Sequence, residues 1–409
     1  MYTFFIIFLF RVGSSIPVPY INITALAEYF DSVSSTMLGF MNVFSGGGLS
    51  TATIFAMSVT PYINASIIIQ LLTVAIPALE RMVRDGGEEG RKKISAITRY
   101  VGVALGLLQG YSYYVLLRSN DLIEYTDFWH GFVIVLTFTA GTALIMWMGE
   151  LITKNGVGNG ISILLFAGIV SRGPSMVSSL IELVRGGGVS YFIAALVIVV
   201  SLAIVVFVVF ISDAERRIPI QYAKRVVGRK MYGGQSSHLP IKVNASGVMP
   251  IIFAASIMSL PSTIQMLVNP AQDTLSYKIF NWFSSSHPVY IVLYVLLIFM
   301  FSYFYAAVQF NPVEIANNLK KNGGFIPGFR PGRPTTEFIT KALGKVTFLG
   351  AIFLSIVAAV PLIVGAVNSS LSSVALGGTS VLILVGVALE TVRQLESQLM
   401  MRNYKGFLE

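Results

Sequence analysis

The chain has 409 residues, 55% of them hydrophobic and only 11% charged, with a formal net charge of +9. Soluble proteins carry about 25% charged residues, so this chain lacks the polar exterior that water demands and reads as a membrane protein. With no cysteine, it excludes disulfides, thiolate nucleophiles and Cys-ligated metal sites.

A membrane-crossing helix needs about 20 apolar residues. In chain order such runs are Tyr2 to Ile16, Val59 to Leu79, Ile94 to Leu117, Gly131 to Gly149, an interrupted Gly160 to Leu180, Tyr191 to Ile211, Val243 to Val268, Pro288 to Phe310, Val346 to Val367 and Thr379 to Val392. The pattern predicts an all-α polytopic protein of ten transmembrane helices. The first run is short and starts at Met1 with no basic leader, as expected of a shortened first span. Ile16-Pro17-Val18-Pro19 is not the small-residue site of a cleaved signal peptide.

Positive charge orients the chain. With the N-terminus inside, 23 Lys and Arg fall in inner loops and 4 in outer ones (Arg118, Arg172, Arg185 and Lys278). Cationic loops resist translocation, so both termini are expected in the cytoplasm. Two inner segments exceed a simple connection, Ser212 to Lys242 with seven basic residues and Asn311 to Lys345 with six. Long loops in compact proteins are usually functional. Orientation alone explains most of this charge; clustering explains the rest. Arg216-Arg217 and Lys224-Arg225 lie on either side of Pro219, and Arg330 sits between Pro327 and Pro331. Such basic tips suit an acidic partner or a nucleic acid surface.

Ten spans divide into five and five, an arrangement typical of inverted repeats. Pro61-Tyr62-Ile63-Asn64-Ala65 aligns with Pro250-Ile251-Ile252-Phe253-Ala254 at the equivalent second and seventh spans. The halves are placed at 1–180 and 190–397, with a tail at 398–409.

At mid-membrane depth within the apolar runs, Asp, Glu, Lys, Arg and His are almost absent: Arg11 lies near one end of the first, and Glu150 and Glu390 lie near inner ends. Ion-coupled transporters need intramembrane ligating groups and intramembrane proteases need a catalytic pair. The sequence offers neither, which predicts a passive, non-enzymatic pathway driven from elsewhere. A secondary transporter is the alternative, and it would place a polar ion site at mid-membrane. His130, His238 and His287 share no spacing and read as loop histidines, so no metal or cofactor is expected. Gly46-Gly47-Gly48 lacks the Lys-Ser/Thr of a phosphate loop. The surrounding stretch Met41 to Met57 is small, Ser- and Thr-rich and uncharged, either an outer loop or a segment folded back into a cavity.

Asn42-Val43-Phe44-Ser45-Gly46-Gly47, Pro61 to Gln70, Gly158-Asn159-Gly160-Ile161-Ser162, Lys242-Val243-Asn244, Phe310-Asn311-Pro312 and Gly377-Gly378-Thr379-Ser380 together resemble the SecY family in order, spacing and topology. The resemblance covers essentially the whole chain and departs at the N-terminus. It implies ten helices in two pseudo-symmetric five-helix halves with a short plug helix, forming a protein-conducting channel in the bacterial cytoplasmic membrane. It implies a pore ring of Val59, Ile63, Ile161, Leu165, Ile252 and Ile383, and a plug with Asn42, Phe44, Ser45, Gly46 and Gly47. It further implies a lateral gate with Gln70 and Asn244, and contacts to a motor or ribosome through Arg216, Arg217, Lys224, Arg225 and Arg330. The implied partners are SecE-like and SecG-like membrane subunits, a SecA-like ATPase motor, the ribosome with a possible ribosomal RNA contact, signal peptides and unfolded preproteins, and the lipid bilayer.

Overall fold

The computed structural model describes the chain except residues 33–41, 43–44, 85, 187–189, 223–224, 228–229, 233–235, 245–246, 269–279, 281, 284–286, 368–371 and 406–409. Each of the ten apolar runs contains helix, though not always over its whole length. The first half contains α1 (Tyr2–Gly13), a short α2 (Ile23–Ser32), α3 (Thr60–Ala75), α4 (Pro77–Arg84), α5 (Gly87–Ser119), α6 (Phe128–Asn155), α7 (Gly160–Ser171) and α8 (Gly173–Arg185). The second contains α9 (Tyr191–Asp213), α10 (Met249–Val268), α11 (Pro288–Gln309), α12 (Pro312–Lys321), α13 (Arg333–Val367) and α14 (Ser372–Lys405). Among the described residues six helices are each long and apolar enough to cross a bilayer, and the α3–α4 pair makes a seventh. The chain is a multi-pass membrane protein. α9 turns Val199, Leu202, Val206 and Phe210 outward, exposure that lipid accepts and water would penalise.

One expected span is bent. The apolar run predicts a continuous helix from Val59 to Leu79, but α3 ends at Ala75 and α4 leaves at 104°. Pro77 is the cause: it disfavours helical backbone at Ile76, which adopts ψ 111°, and it opens the next helix instead. The interruption expected in Gly160 to Leu180 falls at Arg172, which ends α7 and precedes α8.

α5 carries glycines at a four-residue spacing that let its neighbours approach closely. A Cβ on Gly102 would lie 3.6 Å from Tyr62 Cα on α3, one on Gly106 3.3 Å from Thr142 on α6, and one on Gly110 3.3 Å from Phe138 on α6. Small residues at helix interfaces replace the hydrophobic driving force that lipid removes. One apolar core runs through both halves, joining Ile63 and Ile67 of α3, Leu164 and Leu165 of α7, Ile252 of α10 and Ile383 of α14.

The two large basic segments are folded, where their charge and prolines predict only loop. β1 (Glu215–Tyr222) pairs antiparallel with β4 (Ser236–Lys242), from Glu215 opposite Lys242 to Gln221 opposite Ser236. Between them β2 (Arg225–Val227) and β3 (Lys230–Tyr232) form a second ribbon. β5 (Gly324–Phe325), from the other segment, joins the free edge of β1. Ile218, Ile220 and Ile241 on the sheet bury against Ala316 and Leu319 of α12 and Ile339 and Leu343 of α13. The all-α architecture therefore carries a small mixed layer on its basic face. The histidine reading is also corrected for His130, which lies in the first turn of α6 between the rings of Tyr20 and Tyr125, at centroid distances of 4.6 and 5.0 Å.

Candidate functional site

Local signals place the collar. Pro61 sits at the second position of α3, where its missing N–H costs nothing and its fixed φ favours helix entry. The Ile63 N–H then donates to the Val59 carbonyl at 3.1 Å, putting the two aliphatic side chains about one turn apart. Asn159 caps α7, its Oδ1 accepting from the N–H groups of Ile161 and Ser162 at 3.2 and 3.4 Å. That cap fixes the helix start, so Ile161 and Leu165 share one face. Pro250 occupies in α10 the position that Pro61 occupies in α3. The Ile252 N–H bonds back to Val248 at 3.2 Å.

These turns converge on a cavity of about 180 Å³. Four of the six expected ring residues line it: Ile63, Ile161, Leu165 and Ile252. Val59 and Ile383 are not among the lining residues but are buried, at 1% and 0% exposure, in the same apolar core. Tyr62, Ser66, Phe253 and Tyr305 also line it, beyond the residues that the sequence marks. Spacing gives a weak pointer to Ser66, one turn beyond Tyr62; Tyr305, on α11, has none. No Asp, Glu, Lys, Arg or His is among the lining residues. An aliphatic collar of this kind repels water when empty and deforms around an apolar or extended guest.

The small-residue stretch packs against α7. Of its expected residues, Phe44 lies outside the described residues. Asn42 organises the rest: its carbonyl accepts from the Gly47 N–H at 2.9 Å and the Ser45 hydroxyl at 3.0 Å, and its Oδ1 accepts from the Ser50 N–H at 3.0 Å. Residues 45–57 form a succession of turns. Gly46 and Gly47 adopt φ of +67° and +91°, a region open chiefly to glycine. A Cβ on Gly46 would stand 3.0 Å from the Gly168 carbonyl oxygen. Gly168 lies one turn beyond Leu165 on α7, so the stretch rests directly on the helix that carries the collar. Residues 16–18 pair with it from the other side, through Val18 N–H to Ala52 O at 2.9 Å and Ile54 N–H to Ile16 O at 3.0 Å.

The expected gate residues lie in different surroundings. Gln70 on α3 lies within hydrogen-bonding reach of Tyr305 on α11. Asn244 lies in the turn between β4 and α10, lining a separate cavity of about 290 Å³ with Lys242, Gln309, Glu390 and Arg393. Its Oδ1 is buried without a hydrogen-bond partner among the described residues. The apolar pattern predicts Asn244 inside a span starting at Val243, whereas helix begins only at Met249.

The basic residues gather on the folded layer. Arg216 and Arg217 lie exposed on β1, Arg217 pairing with Glu215 at 2.6 Å. Arg330 is exposed in the turn after β5, and its carbonyl accepts from the Thr335 hydroxyl at 2.8 Å. Because β5 joins β1, the two segments present these arginines from one unit. Lys224 lies outside the described residues, and Arg225 is placed only by its backbone in β2. Among the described residues no group of three or more His, Cys, Asp or Glu is positioned to hold a metal ion.

Comparison with known proteins agrees with this geometry. The chain is 43% identical over 422 residues to the protein translocase subunit SecY of Streptomyces scabiei, covering 100% of this chain and 96% of that one. It is 44% identical over 419 residues to the SecY of Thermotoga maritima, covering 100% and 94%. Among solved structures it resembles one described as the structure of a protein conducting channel, with a TM-score of 0.66 and 17% identity over 97% of this chain and 91% of that one. It also resembles Sec61 in the canine ribosome-channel complex, with a TM-score of 0.63 and 16% identity over 97% and 91%. The SecY family model matches residues 53–392. The chain therefore belongs to the SecY family.

Proposed function

We propose that this chain forms the pore of a protein-conducting channel, passing unfolded secretory proteins across the bacterial cytoplasmic membrane and releasing transmembrane segments sideways into lipid. The observation that carries this reading is the collar: Ile63 and the α7 pair from the first half and Ile252 from the second meet around one small cavity. A solute carrier would need ion-ligating groups there. An aliphatic ring instead suits a guest of changing sequence, because it offers no fixed hydrogen bonds to satisfy.

In this reading the turns around Gly46 and Gly47 are a plug that leaves reversibly, and Val59 and Ile383 support the ring from the surrounding core. The gate opens between α3 and α11 at Gln70 and Tyr305, with Asn244 at its inner end. The chain runs no reaction of its own. A SecA-like ATPase or a translating ribosome drives transport from the cytoplasmic side, docking on the layer that carries Arg216, Arg217 and Arg330, with Lys224 and Arg225 as further expected contacts. Resemblance to a channel in a ribosome complex supports the ribosome as one partner. SecE-like and SecG-like helices are the expected membrane partners, and both termini are cytoplasmic.

The absence of cysteine makes the test clean. A single cysteine replaces Ile252, or Val199 on the lipid-facing side of α9, and each is crosslinked to a preprotein arrested in transit. Adducts at Ile252 and few at Val199 are expected. Adducts at neither position in export-active membranes would remove the pore assignment.

A further inference from the structure

We propose that Arg172 sets the charge preference of the path beyond the collar, favouring acidic stretches of the passing polypeptide and delaying basic ones. The inference rests on the channel reading above and on the small-residue turns being its plug. Arg172 caps the C-terminus of α7 with helical backbone, at φ −89° and ψ −9°. It follows Leu165, which lines the collar, by seven residues, or two turns less about 20°. The two side chains therefore share one helix face, with Arg172 about 10 Å further along the axis. The plug turns cover that face. A Cβ on Gly46 would stand 3.1 Å from Ser171 Oγ, and one on Gly47 would stand 3.8 Å from Arg172 Nε.

This cover leaves the cation unpaired. The Gly47 carbonyl is already taken by the Ser50 and Thr51 hydroxyls, which donate to it at 2.9 and 3.1 Å. Among the described residues Arg172 makes no ion pair, and Met41 to Met57 contains no Asp or Glu. The carbonyl ends of α7 supply only a partial negative charge. Departure of the plug therefore breaks no bond to the guanidinium and opens it to the path. A half-buried cation at the end of an apolar run is expected to face a cavity or a partner. The counter-charge that reaches Arg172 there is a carboxylate of the passing chain. An arginine that only anchored a helix end at lipid headgroups would sense no difference between substrates.

The test uses the full chain with its membrane subunits and ATPase motor, in vesicles with no imposed potential. Three preproteins differ only in four consecutive residues of the mature region, all Glu, all Gln or all Lys, and the transit time of each is measured. In water a unit charge about 7 Å away alters a rate by roughly 3-fold. Arg172→Gln should narrow the Glu-to-Lys difference by about that factor. So should Arg172→Met, which keeps an apolar stem against Gly47. Arg172→Lys should preserve the difference, as should Arg185→Gln at the far end of α8. The same ratio in all variants would overturn the proposal. A change shared equally by all three preproteins would also overturn it, because that marks a support for the plug and not a charge filter. Failure of the channel reading is told apart from both, since it shows as missing adducts at Ile252.

Discussion

The Tyr113 hydroxyl donates a 2.6 Å hydrogen bond to the Leu49 carbonyl, tying α5 to the small-residue stretch across 64 positions of sequence. Tyr113 is 1% exposed and Leu49 is 2% exposed, so water cannot replace either partner. Tyr113→Phe removes the donor and leaves the buried carbonyl with only its longer bond from the Ala52 N–H at 3.2 Å, at a cost of about 0.5–1.5 kcal/mol. If the stretch is a plug, its displaced population rises by roughly 2- to 13-fold. Resting ion conductance in planar bilayers should increase, and an unchanged conductance would mean that this bond does not hold the plug.

Polarity in the collar should leak water before it blocks transport. Ile63→Ser together with Ile252→Ser places hydroxyls on facing walls of a cavity that now holds four aliphatic side chains. The apolar barrier to ions weakens. Single-channel recording should register conductance in the absence of preprotein while export continues; a channel that stays closed to ions would place the barrier elsewhere.

The Gln70–Tyr305 contact joins helices from opposite halves. Amide and hydroxyl contacts between spans are worth about 0.6–2 kcal/mol, small enough to be broken during gating. Tyr305→Phe should therefore ease opening and speed export of a preprotein with a weakened signal sequence. Slower export of that substrate would argue that the contact stabilises the open state instead.

Two glycines separate backbone necessity from empty space. A Cβ on Gly160 would stand 1.9 Å from the Gly149 carbonyl oxygen, so Gly160→Ala forces α6 and α7 apart where neither backbone can yield. The purified protein should lose at least 2 kcal/mol, by the usual cost of overpacking (about 1–3 kcal/mol), or fail to accumulate in the membrane. Gly344→Ala meets nothing and gains helix propensity, a change of up to about 1 kcal/mol in the stabilising direction. Thermal unfolding in detergent compares the two directly.

Much of the fold is legible because lipid imposes a simple code: long apolar runs, basic loops on one side, and prolines at helix starts. The ring residues Ile63, Ile161, Leu165 and Ile252 are reached through resemblance, since an isoleucine facing lipid and one facing a pore look alike in sequence. Packing decides what remains. Tyr305 and Phe253 enter the cavity only because α10 and α11 pack side by side. The hairpin does carry its alternation in sequence: Ile218 and Ile220 turn inward while Arg217 and Pro219 face out. Its high charge masks that period of two. Pro77 is a clear punctuation mark hidden inside an apolar run, and it redirects a span by 104°.

β1 continues α9, and β4 leads through a short turn into α10, the helix bearing Ile252. Seven paired positions join those strands, and Val243 N–H adds a bond to Ala214 O at 2.9 Å. At the junction α13 presses on Val243, where a Cβ on Gly350 would come within 2.5 Å of its carbonyl oxygen. A ladder loaded along its strands shares force over all its bonds at once. The strand bearing Arg216 and Arg217 is therefore tied along its whole length to the strand that leads to α10, the helix bearing Ile252.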